Sequence, residues 1–187
     1  MEENPFYRCE RMSRVVPLKA FMALVDVPRF LGYCQDCPHY GERWSCPPFS
    51  FDPMALWQGY GAIRLVAWKL TFSKERLFPG ERRAFEEKEL PRLKAAMAEE
   101  LLFQEAAAAG SLALFPGRCE LCLRCAREAG EPCRMPEQMR YSIEALGGDC
   151  AGALETYFGQ TLQWAAGKRL PEQMILLGGL LLPQEME

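Results

Sequence analysis

The feature that most constrains the fold is a run of cysteines beyond the middle of the chain. Cys119, Cys122 and Cys125 are each separated by two residues, and Cys133 follows after seven more. In ferredoxin-type sequences, thiolates at this spacing wrap around three corners of one iron–sulfur cluster before a more distant cysteine completes the site. Zinc sites more often use two separated CxxC pairs, so zinc is the alternative. This central run therefore predicts a loop folded around a [4Fe-4S] cluster.

A second cysteine group, the N-terminal group, lies earlier in the chain. Cys34, Cys37 and Cys46 stand in the stretch CQDCPHYGERWSCPP, in which a CxxC pair is followed by a third cysteine and two prolines. A CxxC pair also suits zinc, so this spacing is weaker evidence for a cluster. We interpret His39 as a solvated loop residue rather than a ligand. We therefore expect a second metal centre here, either iron–sulfur or zinc.

Seven cysteines can be divided between two centres in two ways. Either the central run binds one centre and the N-terminal group binds the other, or Cys133 crosses over to complete the N-terminal group. Such a crossover occurs in two-cluster ferredoxins. A cluster held by three cysteines keeps one iron open and can act as a Lewis acid, whereas fully ligated clusters transfer electrons. The choice between catalysis and electron transfer thus depends on Cys133.

Two stretches, CQDCPHYGERWSCPP and LALFPGRCELCLRCAREAGEPCRMPEQMRYSIEALGGD, together resemble a family of bacterial and archaeal predicted metal-binding proteins, domain of unknown function 2284. The resemblance runs from about residue 34 onward. It implies binding of a metal or an iron–sulfur cluster through both cysteine groups, and it implies no particular reaction. Cys150 stands where this family is expected to have an aliphatic residue, and Cys9 lies outside the matched motifs. We interpret both as small apolar residues.

Cations are concentrated around the central run. Arginine stays charged and donates hydrogen bonds in a fixed fork, so it can raise the potential of an anionic cluster or hold an acidic partner. We predict that Arg134 and Arg140 contact the cofactor. The alternative is a solvated face on which Glu137 and Glu144 pair with the arginines. The arginines of this region are Arg118, Arg124, Arg127, Arg134 and Arg140.

Hydrophobic periodicity predicts a strand followed by a long helix. Apolar side chains alternate along residues 64–72, as on a strand with one buried face. Along residues 81–109 the apolar positions recur at three- and four-residue steps, which is typical of an amphipathic helix, and Pro91 starts its main segment or kinks it. Gly110 ends the helix, and SLALF at residues 111–115 forms a second strand. We expect these elements to form a right-handed parallel crossover.

The remaining pattern predicts a helix at residues 151–158 and short strands at residues 162–165 and 174–182. A chain of 187 residues with 49% hydrophobic composition can bury one sizeable core. We therefore expect an α+β fold with a single domain, residues 1–187. Its mixed sheet of about four or five strands would carry a long crossover helix and two cysteine-rich metal-binding loops on one side.

Charge and hydropathy argue against two classes of partner. Lys and Arg number 22 against 25 Asp and Glu, for a net charge of −3, so the chain lacks the basic field of a nucleic-acid-binding protein. The longest apolar stretch, residues 174–183, has about half of the length that a membrane-spanning helix needs. The N-terminus is polar and shows no targeting segment, so we expect a cytoplasmic protein with reduced cysteines.

These observations favour an iron–sulfur protein with one or two [4Fe-4S] clusters. Its expected role is to pass single electrons to or from a partner oxidoreductase. The first alternative is an enzyme that uses the open iron of a three-cysteine cluster. The second alternative is a zinc-stabilised interaction module without catalysis. Enzymatic activity is left open by the sequence.

Overall fold

The computed structural model describes residues 6–73, 81–163 and 169–184. Within these residues, four strands form one sheet in the order β1-β2-β4-β3, so both ends of the chain contribute to it. The strands are β1 (Tyr7–Pro17), β2 (Ala62–Phe72), β3 (Leu112–Leu114) and β4 (Gln173–Leu182). The α-helices are α1 (Leu18–Phe21), α2 (Val27–Gln35), α3 (Pro53–Gln58), α4 (Glu81–Ala84), α5 (Leu90–Ala107) and α6 (Cys150–Phe158).

Every pair of neighbouring strands in the described sheet is antiparallel. The α+β class is confirmed, although the sheet is antiparallel where the sequence predicted a mixed one. β2 and β3 point in the same direction because both run against β4, so the long helix does connect two parallel strands. β4 lies between them, since its apolar side chains are buried on both faces and suit a central strand.

The long helical segment covers one face of the sheet. α4 continues through a π-helical turn, Phe85–Glu89, into α5, whose first turn contains Pro91. Proline is well tolerated there because the first N–H groups of a helix have no intrahelical acceptor. Met97 and Leu101 of α5 are fully buried and pack against Trp68 of β2. The predicted helix and its apolar stripe are therefore confirmed.

The helix and the sheet approach each other closely at Gly178 of β4. A Cβ atom at this position would lie 2.8 Å from Leu101 Cδ1 and 2.8 Å from Leu114 O. These separations are shorter than the optimal contact of non-bonded atoms, so glycine permits the close packing. The predicted strand at residues 174–182 is confirmed as β4. Among the described residues, no helix has both the length and the hydropathy that crossing a bilayer requires.

The opposite face of the sheet is covered by short helices and by the turn that precedes α6. Ile63 and Leu65 of β2 pack there with Trp57 of α3, whose side chain is fully buried. Trp57 Nε1 donates a hydrogen bond to Leu146 O at 2.9 Å. Leaving such a donor unpaired would cost about 1–3 kcal/mol, so this bond stabilises the turn at residues 143–148.

The same turn is held against the N-terminus of α2. Gly147 has a φ of +89°, and a Cβ atom there would lie 2.6 Å from Val27 Cα. Glycine alone combines this backbone conformation with so close an approach. Asp26 and Asp149 cap α2 and α6 through their side chains. Gly147 therefore positions α2, which carries Cys34, beside the residues that precede α6.

Several elements differ from the sequence predictions. The sequence did not indicate β1, because this edge strand is mostly exposed and lacks a clear apolar alternation. It also missed α2 and α3, which lie within a region rich in proline and cysteine. Residues 162–163 do not form a strand, and the rest of the strand predicted at 162–165 lies outside the described residues. The helix predicted at 151–158 is confirmed as α6.

Candidate metal centre

The four cysteines of the central run line one cavity. Cys119 follows β3 after a short turn, and Cys122, Cys125 and Cys133 come from the loop that continues towards α6. The other walls combine charged and apolar side chains from both cysteine loops, namely Arg43, Trp44, Ser45, Leu121, Ala126, Arg134, Met135 and Met139. Cys133 thus lies with the run that it follows in sequence, while its role as a ligand stays a prediction.

Backbone N–H groups donate hydrogen bonds to two of these sulfur atoms. The N–H of Leu121 donates to Cys119 Sγ. Cys125 precedes a 3-10 turn, Ala126–Ala129, where its Sγ accepts from the N–H of Glu128 and the Glu128 carboxylate accepts from the Cys125 N–H at 3.3 Å. Hydrogen bonds of this kind orient metal ligands and tune cluster potentials. The loop backbone therefore supplies donors for two thiolates.

The N-terminal group begins at the last turn of α2. Cys34 lies in that turn, and the Cys37 N–H donates to Cys34 O at 3.1 Å. The Cys46 N–H donates to Arg43 O at 3.0 Å. Within residues 6–73, 81–163 and 169–184, no three His, Cys, Asp or Glu side chains converge closely enough to hold a single metal ion. The ligand set of each centre therefore stays a prediction.

Electrostatic neighbours separate the seven cysteines into a group of four and a group of three. Burial raises the pKa of Cys34, and charges on the other two members of its group and on Glu144 raise it further. Burial also raises the pKa of Cys119, and the added repulsion comes from the other members of the central run, including Cys133. This arrangement favours the division in which Cys133 stays with the central run.

Ser45 joins the two cysteine groups. Its side chain is buried, and its Oγ accepts a hydrogen bond from the Cys119 N–H at 3.0 Å and lies 3.9 Å from Cys46 Sγ. Because the oxygen accepts from Cys119, the hydroxyl proton is available to the sulfur of Cys46. Burial raises the pKa of Cys46, and the bond from Ser45 opposes this rise. Ser45 could not be identified from the sequence, since a single serine beside a cysteine belongs to no spacing pattern.

Arg127 holds the two loops together. Its guanidinium donates to the backbone oxygens of Arg43 at 2.8 Å, Cys46 at 2.7 Å and Pro48 at 2.6 Å. The same guanidinium lies over the ring of Trp44, 5.0 Å from its centroid. Trp44 Nε1 in turn donates to a backbone oxygen of the central loop at 3.0 Å. One arginine from the central loop thus fixes the backbone of the N-terminal loop.

The two arginines predicted to contact the cofactor lie in different places. Arg134 lines the cysteine cavity and donates to Arg124 O at 3.2 Å. Arg140 forms an ion pair with Glu105 of α5, with Nε 2.7 Å from Oε2, and both side chains are largely buried. Arg140 thus ties the end of the central loop to the long helix. Contact with a cofactor stays a prediction for both arginines.

Two other arginines have unsatisfied donors near Cys46. The Nε atoms of Arg43 and Arg118 are buried and have no hydrogen-bond partner in the part of the chain that the structure describes. Burial raises the pKa of Cys46, and the charges of both arginines oppose this rise. A buried donor without an acceptor costs about 1–3 kcal/mol, so these N–H groups suit an anionic acceptor beside the N-terminal group. Arg43 was not among the arginines identified from the sequence.

The remaining cysteines and the histidine were interpreted from the sequence as residues other than ligands. Cys150 is buried at the start of α6, in agreement with its interpretation as a small core residue. Cys9 is exposed on β1, so it is not a core residue. His39 Nδ1 lies 3.7 Å from Glu42 Oε2, on a partly exposed part of the N-terminal loop.

Replacing Glu105 with glutamine is expected to lower the free energy of unfolding by about 2 kcal/mol at neutral pH, and by less as the pH falls below 4.5. Burial raises the pKa of Glu105, but Arg140 and the Ala113 N–H lower it more, so it lies below its ordinary value. A depressed carboxyl pKa stabilises the fold above the unfolded pKa, and this stabilisation is lost as the pH falls through the folded pKa.

Urea unfolding of the wild type and of Glu105→Gln, from about pH 7 down to about pH 3, measures how far the difference between their free energies of unfolding shrinks. The matched control is Glu155→Gln, because Glu155 is exposed on α6. A constant difference between Glu105→Gln and the wild type across the range would contradict the prediction.

An antiparallel α+β fold that holds two groups of free cysteines side by side defines a cysteine-rich protein suited to bind metal. The chain belongs to the family of predicted metal-binding proteins (DUF2284), whose model matches residues 22–182. This match includes both cysteine groups and begins earlier than the stretch on which the sequence resemblance rests. Neither a curated protein nor a solved structure matches the chain.

Proposed function

We propose that the protein transfers single electrons through iron–sulfur clusters, one at the central run and one at the N-terminal group. The observation that carries the proposal is the contact of both groups with Ser45. Cys46 Sγ lies 3.9 Å from the Ser45 hydroxyl, and the same oxygen accepts from the Cys119 N–H at 3.0 Å. Redox centres held at these two groups would lie close enough to exchange electrons directly.

The residues around the central run fit an iron–sulfur cluster. Four cysteines line this one cavity, and four cysteine thiolates are the ligation that [4Fe-4S] clusters require. Trp44, Met135 and Met139 supply an apolar part of the wall that excludes water. A cluster bound there supplies reversible one-electron chemistry. The backbone donors to Cys119 and Cys125 would set its potential by stabilising negative charge on sulfur.

The proposed partner is an oxidoreductase of the cytoplasm, where thiols stay reduced. Leu123 lies between two cysteines of the central run and is 99% exposed. Arg124 follows it, with a side chain that is 84% exposed. A partner that places an apolar side chain against Leu123 and an acidic group against Arg124 would come close to the sulfur ligands.

Anaerobic purification tests the proposal. We expect about eight iron atoms and eight sulfides per chain for two clusters, with a brown colour that dithionite bleaches and mild reoxidation restores. A colourless protein with stoichiometric zinc and no sulfide would contradict the proposal. That result would favour a zinc-stabilised interaction module, in which chelation unfolds the chain.

A second candidate function is favoured by the number of cysteines in the N-terminal group. Because Cys133 lies with the central run, a cluster at Cys34, Cys37 and Cys46 would keep one iron without a cysteine ligand. An open iron can act as a Lewis acid, and the unpaired arginine donors beside this group suit an anionic substrate. Cyanide is expected to change the electron paramagnetic resonance spectrum of an open cluster. An unchanged spectrum would exclude this candidate.

A further inference from the structure

A cavity of about 400 Å³ lies between α5, β4 and α6. In the described part of the chain, it shares no lining residue with the cysteine cavity. Its volume falls within the range of small-molecule sites, which combine an apolar wall with a few polar groups. The apolar wall includes Leu90, Leu154, Leu162, Met174, Ile175 and Leu177.

One polar group of the cavity is Lys94 of α5. Its side chain is 22% exposed, and its Nζ lies 3.8 Å from Glu120 Oε2, which is longer than a hydrogen bond. Gly117, with a φ of +88°, leaves room for the ammonium, since a Cβ atom there would lie 3.4 Å from Lys94 Nζ. An ammonium has three donors, so Lys94 retains donors for a further acceptor.

The second polar group is Glu144, from the turn that precedes α6. Its Oε2 is closed to solvent and has no hydrogen-bond partner among the residues that the structure describes. Glu144 and Lys94 act on each other electrostatically, yet the ion contact of Lys94 goes to Glu120. Cys150 lines the same cavity and forms a side-chain hydrogen bond with Glu144. Burial, followed by the charge of Glu144 and by this bond, raises the pKa of Cys150 well above its ordinary value. Its thiol therefore stays neutral and is a poor nucleophile.

A cation and an anion thus face one cavity, where Lys94 retains hydrogen-bond donors and Glu144 Oε2 accepts no hydrogen bond from the described residues. The other charged pair on the wall, Arg82 and Glu86, is joined by a bond of 2.8 Å. A ligand with a single charge would engage only one of these two side chains and leave the other with its present contacts. A ligand with both charges on a short polar head and an apolar body would satisfy the whole site.

We propose that this cavity binds an apolar α-amino acid or a close analogue. The ammonium group would lie near Glu144, the carboxylate near Lys94, and the side chain against the leucine-rich wall. The inference goes beyond the proposed electron transfer and does not depend on it, because the two cavities are lined by different residues.

Isothermal titration calorimetry of the full chain, purified anaerobically with its metal, tests the inference. The probes are L-leucine, L-methionine and L-phenylalanine, and each is compared with its decarboxylated amine and with its N-acetyl derivative. We expect at least one amino acid to bind, and loss of either charge to weaken its binding by about tenfold or more. Failure of all three amino acids to bind, or an amine or N-acetyl derivative that binds as tightly as its parent amino acid, would overturn the inference.

Two variants assign the contacts. Lys94→Met is expected to bind the amino acid no more tightly than its decarboxylated amine. Glu144→Gln is expected to bind the amino acid no more tightly than its N-acetyl derivative. Glu155→Gln, an exposed change on α6, is the matched control and should bind as the wild type does. A full preference retained in both cavity variants would refute the assignment. The comparison of ligands on the wild type decides the proposal even if a variant fails to fold.

Discussion

Replacing Cys133 with alanine is expected to remove the metal centre of the central run and to leave the centre of the N-terminal group in place. Cys133 lines the same cavity as the other cysteines of the run, and its charge acts on Cys119. If two clusters are bound, the iron and sulfide contents should fall by about half. Metal and sulfide analysis after anaerobic purification measures the loss, and electron paramagnetic resonance identifies the remaining centre.

A double replacement makes this test sharper. Cys37→Ala alone should leave the centre of the central run, and the addition of Cys133→Ala should then remove all bound metal. If Cys133 completed the N-terminal group instead, the double variant would keep as much iron as Cys37→Ala alone. Cys9→Ala is the control, because Cys9 is exposed on β1 and lies outside both groups.

Replacing Arg127 with alanine is expected to lower the free energy of unfolding by about 2–4 kcal/mol. The change removes the hydrogen bonds from the guanidinium to three backbone oxygens of the N-terminal loop, of which Arg43 O keeps its bond from the Cys46 N–H, and it removes the contact with Trp44. A hydrogen bond to a charged group contributes about 1.5–3 kcal/mol, but partial exposure keeps the total below the sum of three. Because the loop also carries Cys46, the variant should lose metal faster to a chelator. Urea unfolding and the rate of metal release measure the two effects.

The matched control for Arg127 is Arg124→Ala in the same loop. The side chain of Arg124 is 84% exposed and pairs with Glu128 at 3.5 Å, so its loss should cost about 0.5 kcal/mol or less. Arg127→Lys should give an intermediate stability, because an ammonium keeps the charge but not the planar fork that reaches three oxygens. Equal unfolding midpoints for Arg127→Ala and Arg124→Ala would show that the three hydrogen bonds of Arg127 do not stabilise the fold.

The elements with strong periodicity could be predicted from the sequence. β2, α5, α6 and β4 each bury a continuous set of apolar side chains, and this burial is what their patterns encode. β1 could not be predicted, because most side chains of this edge strand are exposed and need not alternate between apolar and polar. The antiparallel sheet could not be predicted either. Local patterns do not specify that β4, from the end of the chain, lies between β2 and β3.

The candidate site could also be predicted only in part. Cysteine spacing identified the central run and the N-terminal group, because thiols close in sequence need only a loop to meet. Ser45, Arg43 and the role of Glu144 were missed, since their contacts come from distant segments. Cys119 and Ser45 are 74 residues apart, and Arg127 and Cys46 are 81 residues apart. Such contacts leave no periodic signal in either segment.

Cysteine spacing, hydrophobic periodicity and the two cysteine motifs predicted which thiols can gather locally, the α+β class and the family. Only the folded chain shows that Ser45 contacts both cysteine groups, that Cys133 lines the same cavity as the other cysteines of the central run, and that Lys94 and Glu144 face one cavity. The difference arises from how far apart in the sequence the contacting residues are. Spacing and periodicity act over a few residues, whereas these arrangements depend on backbone oxygens, buried charges and close packing between segments that meet only in the folded chain.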